Sequence, residues 1–140
     1  MSQENRPSLN IHSVEDARNL FDKDQFATHT VGLFIEEARE GYAKVSLKLE
    51  DKHLNAGGDL MGGVYYTIAD FTFGVAANFN RTHTVTWDSQ INLYAPATGD
   101  MLFAEAVVLK DGNRMCSCEV KVTDGNGTLN AIALINGCRL

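Results

Sequence analysis

The chain of 140 residues is the size of one domain, long enough to bury a sizeable core and too short for two. Its formal net charge of −6, with 12 basic residues scattered and never in a run, excludes a surface built for nucleic acid, which needs clustered Lys and Arg. No stretch reaches the roughly 18 consecutive apolar residues of a membrane span, and the leading Met-Ser-Gln-Glu-Asn-Arg has neither the apolar core nor the cleavage site of a secretory signal, so a soluble, cytoplasmic protein is expected.

Residues 1–10 are polar and expected to be loose. Ser13 is a capping residue followed three positions on by Asp16, and Val14, Ala17, Leu20 and Phe21 fall at helical spacing. Residues 1–28 therefore read as an N-terminal extension with a short helix, attached to a single domain that makes up the chain 1–140. Val31–Ala38 and Tyr42–Glu50 read as strands around Glu40-Gly41. The second alternates Ala43, Val45, Leu47 and Leu49 with Tyr42, Lys44, Ser46 and Lys48, which predicts one buried and one wet face.

A glycine-rich loop then leads into a run from Gly62 that has no Pro and one charge, Asp70. As a helix of about 18 residues it would be ~27 Å long. Val64, Ile68, Phe71, Val75 and Phe79 point one way while Ala69, Phe73, Ala76 and Ala77 fill others, so no solvent face is expected. A lone carboxylate in such a helix is costly without a purpose, which makes Asp70 the first functional candidate.

Four further strands follow: Thr84–Leu93, Met101–Lys110, Arg114–Thr123 and Leu129–Cys138. They are separated by Pro96-Ala-Thr-Gly-Asp, Asp111-Gly-Asn and Asp124-Gly-Asn-Gly, whose residues favour turns. Short turns between consecutive strands make an antiparallel meander. The class is α+β, a curved antiparallel sheet wrapped around one long central helix, because only that arrangement buries such a helix. Cys116 and Cys118 lie two apart on one strand face and read as small core residues; with Cys138 they make an odd number. His12, His29, His53 and His83 show no metal spacing, so no metal site is expected.

Gly62-Gly63 at a helix start offers unpaired N–H groups, the positive end of the helix dipole, and no β-carbons to keep a ligand oxygen away. Asn55 lies just upstream with an amide able to polarise a carbonyl. Asp70 lies ~12 Å further along the axis, too far to act on a carbonyl held at its own helix start. If both serve one substrate, they come from two chains whose helices lie antiparallel about a two-fold axis. Otherwise Asp70 is structural, capped by Thr67, Thr72 or Thr86.

The run His53-Leu-Asn-Ala-Gly-Gly-Asp-Leu-Met61-Gly62-Gly63, then Ala69-Asp70, then Val85-Thr86 through Pro96-Ala, resembles the hotdog-fold acyl-CoA thioesterases of the phenylacetate-degradation (PaaI-like) type. The likeness extends from about Val31 to the C-terminus. It implies a hotdog fold in which Asn55 and Gly62 bind the thioester carbonyl and Asp70 of the opposite subunit is nucleophile or general base. Thr86 would correspond to the hydroxyl residue that places the water, with Gly63, Met61 and His53 around the substrate. The family commonly has His where this chain has Met61, which can neither donate a proton nor bind an oxygen strongly; His53 is a candidate substitute, although a loop histidine next to Asp51 reads first as solvated. The implied activity is hydrolysis of a small or medium acyl-CoA, aromatic ones included, by a homodimer assembled as a dimer of dimers. No cofactor is implied, since coenzyme A is part of the substrate. A non-catalytic acyl-CoA-binding hotdog protein is the alternative. Tyr65, Tyr66, Phe71 and Phe73 are open between acyl pocket and core. Arg81, Lys110, Arg114 and Arg139 are open as partners of the nucleotide phosphates.

Overall fold

A computed structural model describes residues 6–140. Helix α1 (Val14–Phe21) starts where predicted: the Ser13 hydroxyl accepts from the Asp16 N–H at 3.0 Å, and the Asp16 carboxylate accepts from the His12 N–H at 2.9 Å. A π-helical turn, Gln25–Val31, follows, capped by Asp24 at the Ala27 N–H and closed by Gly32 at φ +101°. That turn takes the start of the first predicted strand, so β1 spans Phe34–Arg39. Strands β2 (Tyr42–Lys48), β3 (Thr84–Leu93), β4 (Met101–Asp111), β5 (Met115–Asp124) and β6 (Leu129–Arg139) lie within a residue or two of expectation, as does α2 (Gly62–Asn78).

All strands pair antiparallel in the order β1-β2-β4-β5-β6-β3. Among the described residues β3 is thus an edge strand whose one neighbour is β6, reached only after the β4–β5–β6 meander. The sheet curls around α2. Its concave face is lined by fully buried Ala43, Ala104, Ala106, Ala131 and Ala133, whose small side chains let the helix approach, with Val45, Leu102, Val120, Val122 and Ile135 filling between. Gly137 marks the tightest point: an added Cβ would lie 2.7 Å from the Phe73 ring and 2.9 Å from the Cys116 sulfur. Cys116 and Cys118 are buried core residues, as expected.

Two expectations are corrected here. Ser8 bridges to Thr82, the Pro7 carbonyl accepts from the His83 N–H, and fully buried Ile11 bridges to Phe79. The segment after residue 6 is therefore tied down, because Ile11 supplies an apolar plug that composition alone hid; residues 1–5 lie outside the described residues. α2, in turn, does have an open side. Gly63 and Tyr66 are exposed and Thr67, Asp70 and Gly74 half-buried, a stripe at helical spacing that the chain's own sheet leaves uncovered. Small and polar residues, counted as core, define that stripe. Among the described residues no helix is long and apolar enough to cross a membrane.

The crossover from β3 to β4 is held by a buried anion. Asp124, 2% exposed, accepts from the backbone N–H groups of Thr98 (3.0 Å), Asn126 (3.0 Å) and Thr128 (3.1 Å) and from Asn130 Nδ2 (3.3 Å). Burial alone would raise its pKa, but these donors bring it down to about 2 from 3.8. A depressed carboxylate pKa contributes stability that is full above the unfolded value and lost on acidification. Urea midpoints should therefore fall between about pH 4 and pH 2 in the wild type. Asp124→Asn should cost about 3 kcal/mol at neutral pH and lack that acid step; an unchanged acid profile would assign the transition to other carboxylates.

Candidate active site

The loop before α2 closes on itself. Leu54 bridges to Leu60, the His53 carbonyl accepts from the Met61 N–H at 2.9 Å, and the Asn55 N–H donates to the Asp59 carbonyl at 2.7 Å. Asn55 Oδ1 accepts from the N–H groups of Gly57 (2.9 Å) and Asp59 (3.1 Å). Two backbone donors identify which side-chain atom is the oxygen, so the amide orientation follows from the network. The Nδ2 group is left without a partner among the described residues, at a position exposed to solvent.

Directly after this loop, α2 begins without a side-chain cap at Met61. The first N–H groups of a helix have no intrahelical acceptor, and those of Gly62 and Gly63 sit at the exposed end of the helix dipole. A Cβ on Gly62 would lie 3.3 Å from Leu93 Cδ1, and one on Gly63 3.5 Å from Met61 Cε. The bare glycines thus fit under two apolar side chains. The Met61 thioether, 55% exposed, lies over the first turn and offers no proton.

Further along the open stripe, Asp70 Oδ1 accepts from the Thr86 hydroxyl at 2.6 Å, while Oδ2 has no partner among the described residues. Thr67 and Thr72 bond their own helix carbonyls, Gly63 O and Ile68 O, so of the three hydroxyls proposed as caps only Thr86 reaches Asp70. A bulge in β3 between Thr86 and Asp88 leaves Trp87 70% exposed. A second rung ties helix to strand: Tyr66 OH and Ser89 Oγ lie 2.8 Å apart. Sequence reasoning missed Ser89, whose only signal was its strand position.

Within one chain, then, Asn55, Met61, Gly62 and Gly63 gather at one end of the stripe and Asp70 with Thr86 near its middle; the two groups do not meet. His53 is corrected outright. Expected at the substrate or in solvent, it is 4% exposed, with Nδ1 accepting from the Glu50 N–H at 3.0 Å and Nε2 donating to the Val31 carbonyl at 2.7 Å. Both ring nitrogens are spent on holding the loop to the π-helical turn. Arg139 is likewise committed, to Gly112 O, Ala77 O, the Thr84 hydroxyl and Asp111, and Arg81 pairs with Glu40 and Asp111. Tyr65 accepts from the Ala97 N–H through its hydroxyl and is core, as are Phe71 and Phe73; of the four aromatics only Tyr66 lines the stripe. Among the described residues no group of three or more His, Cys, Asp or Glu could hold a metal ion.

Comparison with known proteins identifies the family and the fold. Residues 57–131, which include α2 and most of the sheet, match the family model described as "Thioesterase superfamily". A protein of Archaeoglobus fulgidus, named provisionally as an esterase, is 29% identical over 121 residues, 86% of this chain and 79% of its own length. The PaaI protein from the phenylacetic acid degradation operon of E. coli superposes with a TM-score of 0.84 at 21% identity, covering 91% of this chain and 93% of that one. A Streptococcus mutans UA159 protein, solved bound to acetyl CoA, gives 0.74 at 25% identity, with 77% and 88% covered. The chain belongs to the thioesterase superfamily and is a thioester hydrolase with the hotdog fold of the PaaI type.

Proposed function

We propose that this chain hydrolyses small or medium acyl-CoA thioesters, aromatic ones included, in a site shared between two copies. The observation that carries the reading is Asp70: a carboxylate fixed through one oxygen by Thr86, with the other oxygen free on an uncovered helix face. A partner helix lying antiparallel brings its own Gly62 N–H and Asn55 Nδ2 to that level, completing an oxyanion site opposite the carboxylate. The Streptococcus mutans relative bound to acetyl CoA supports the choice of thiol.

In this mechanism the thioester oxygen accepts hydrogen bonds from Gly62 N–H and Asn55 Nδ2 of one copy. Asp70 of the other takes a proton from water through Oδ2 while the water attacks the carbonyl carbon, and Thr86 Oγ accepts the water's second hydrogen. The tetrahedral oxyanion collapses, the C–S bond breaks, and coenzyme A leaves as a thiolate, a leaving group good enough to need no metal or redox cofactor. The protein acts as a single hotdog domain in a dimer that pairs again into a tetramer. Its free cysteines fit the reducing cytoplasm.

A thiol-release assay over acetyl-, phenylacetyl-, octanoyl- and palmitoyl-CoA tests this. Turnover is expected with the smaller acyl groups and a kcat/KM lower by at least about tenfold for palmitoyl. Met61 favours a second reading, since its thioether occupies the place where a proton donor would serve the leaving group. Tight binding of every acyl-CoA without thiol release would replace the hydrolase with a thioester-binding protein.

A further inference from the structure

Given a site shared between two copies, the proposed function on which this inference rests, the level of Gly62 in one copy coincides with that of Asp70 in the other. The residue halfway between them on α2 is Tyr66, ~6 Å along the axis from each. A two-fold axis that exchanges Gly62 and Asp70 between chains must pass at the level of Tyr66. A second copy paired symmetrically along the free edge of β3 gives the same place. β3 runs over ten residues, Thr84–Leu93, with its outer edge unpaired among the described residues and its midpoint between Asp88 and Ser89. An antiparallel partner strand centred on that midpoint puts the axis beside Ser89. Ser89 is also the residue whose hydroxyl meets Tyr66, at 2.8 Å.

Three contacts tie helix to strand in order: Leu93 lies over Gly62, Ser89 bonds Tyr66, and Thr86 bonds Asp70. Copies that pair through β3 therefore also juxtapose their helices with Tyr66 facing Tyr66. On the shared-site reading the occupant of the open stripe is a second copy of this chain, and the outer edge of β3, which has no strand partner among the described residues, offers that copy backbone donors and acceptors.

We propose that the two Tyr66–Ser89 pairs meet at the dimer axis, and that the two Tyr66 rings form the common wall between the two active sites, each ring bordering both. Tyr66 would then be a specificity-determining residue: it bounds the space available to an acyl group beside Asp70, and a smaller side chain there joins two compartments into one.

Site-directed cross-linking decides the placement without requiring turnover. In a Cys138→Ser background, Cys116 and Cys118 do not compete, since burial pushes both thiols up, that of Cys118 to about 12. Tyr66→Cys treated with a short bismaleimide should run as a covalent dimer on a denaturing gel, and Ser89→Cys should do the same. Phe26→Cys, on the π-helical turn at a residue 61% exposed, should stay monomeric. Failure of both axis variants to cross-link faster than Phe26→Cys overturns the placement. The wall is tested by Tyr66→Ala, which should raise kcat/KM for octanoyl-CoA relative to acetyl-CoA by at least about tenfold, whereas Tyr66→Phe, which keeps the ring, should not shift that ratio. An unchanged ratio in Tyr66→Ala overturns the wall. Failure of the shared-site reading is separate: it would show as no recovery of activity when Asn55→Asp and Asp70→Asn chains are refolded together, whatever the cross-linking result.

Discussion

Asp70→Asn should fold, bind acyl-CoA and lose turnover by at least about a hundredfold, the effect of removing a general base. Asparagine can keep the acceptor that Thr86 bonds at 2.6 Å, and the position is half-buried rather than core, so the fold has little to lose. Oδ2 is where the proton would go, and an amide nitrogen there cannot accept one. A matched melting temperature and unchanged affinity for a non-hydrolysable acyl-CoA thioether would establish that only the chemistry has gone. Turnover at the wild-type rate would remove Asp70 from the mechanism, and a variant that melts early would return it to a structural role.

The second large effect is a recovery. Asn55→Asp keeps the oxygen that accepts from Gly57 and Asp59, so the loop is preserved, but it deletes the Nδ2 donor. Asn55→Ala would lose both and confuse loop disorder with lost oxyanion binding. Removing one oxyanion donor costs about a hundredfold or more in kcat. Mixed with Asp70→Asn by unfolding and refolding together, it should regain about a quarter of wild-type activity, because half of randomly paired dimers are mixed and half the sites in those carry neither defect. Recovery near zero, with mixed dimers confirmed by mass, would put both residues in one chain's site and refute the sharing.

The strands were legible because alternation in Tyr42–Glu50 and the turn residues at Asp111 and Asp124 are local signals. The position of β3 was not, since pairing such as Thr84 with Arg139 joins distant segments and no local pattern encodes it. The candidate groups at Asn55, Gly62 and Asp70 stood out by residue type and spacing. The open stripe on α2 did not, because Gly63, Thr67 and Gly74 are as compatible with burial as with exposure. His53 misled for the opposite reason: a loop histidine close after Asp51 reads as solvated, and only the fold brings the Val31 carbonyl to its ring. The π-helical turn Gln25–Val31 offered one cue, the capping Asp24, in a stretch whose threonines and valine argue against a helix.

The sheet order carries a consequence for how the molecule opens. β3 bears Thr86 and Ser89, yet its one neighbour is β6, roughly 40 residues on in sequence, so its pairing is affordable in loop-closure entropy only when the intervening meander is already in place. The connection across that meander, residues 94–100, is short and anchored by Asp124, Asn130 and Tyr65. Release of the meander would therefore strip β3 of its partner and Asp70 of its hydroxyl in the same event. Such a site has no separate local opening by this route, and its cooperative unit is the domain itself.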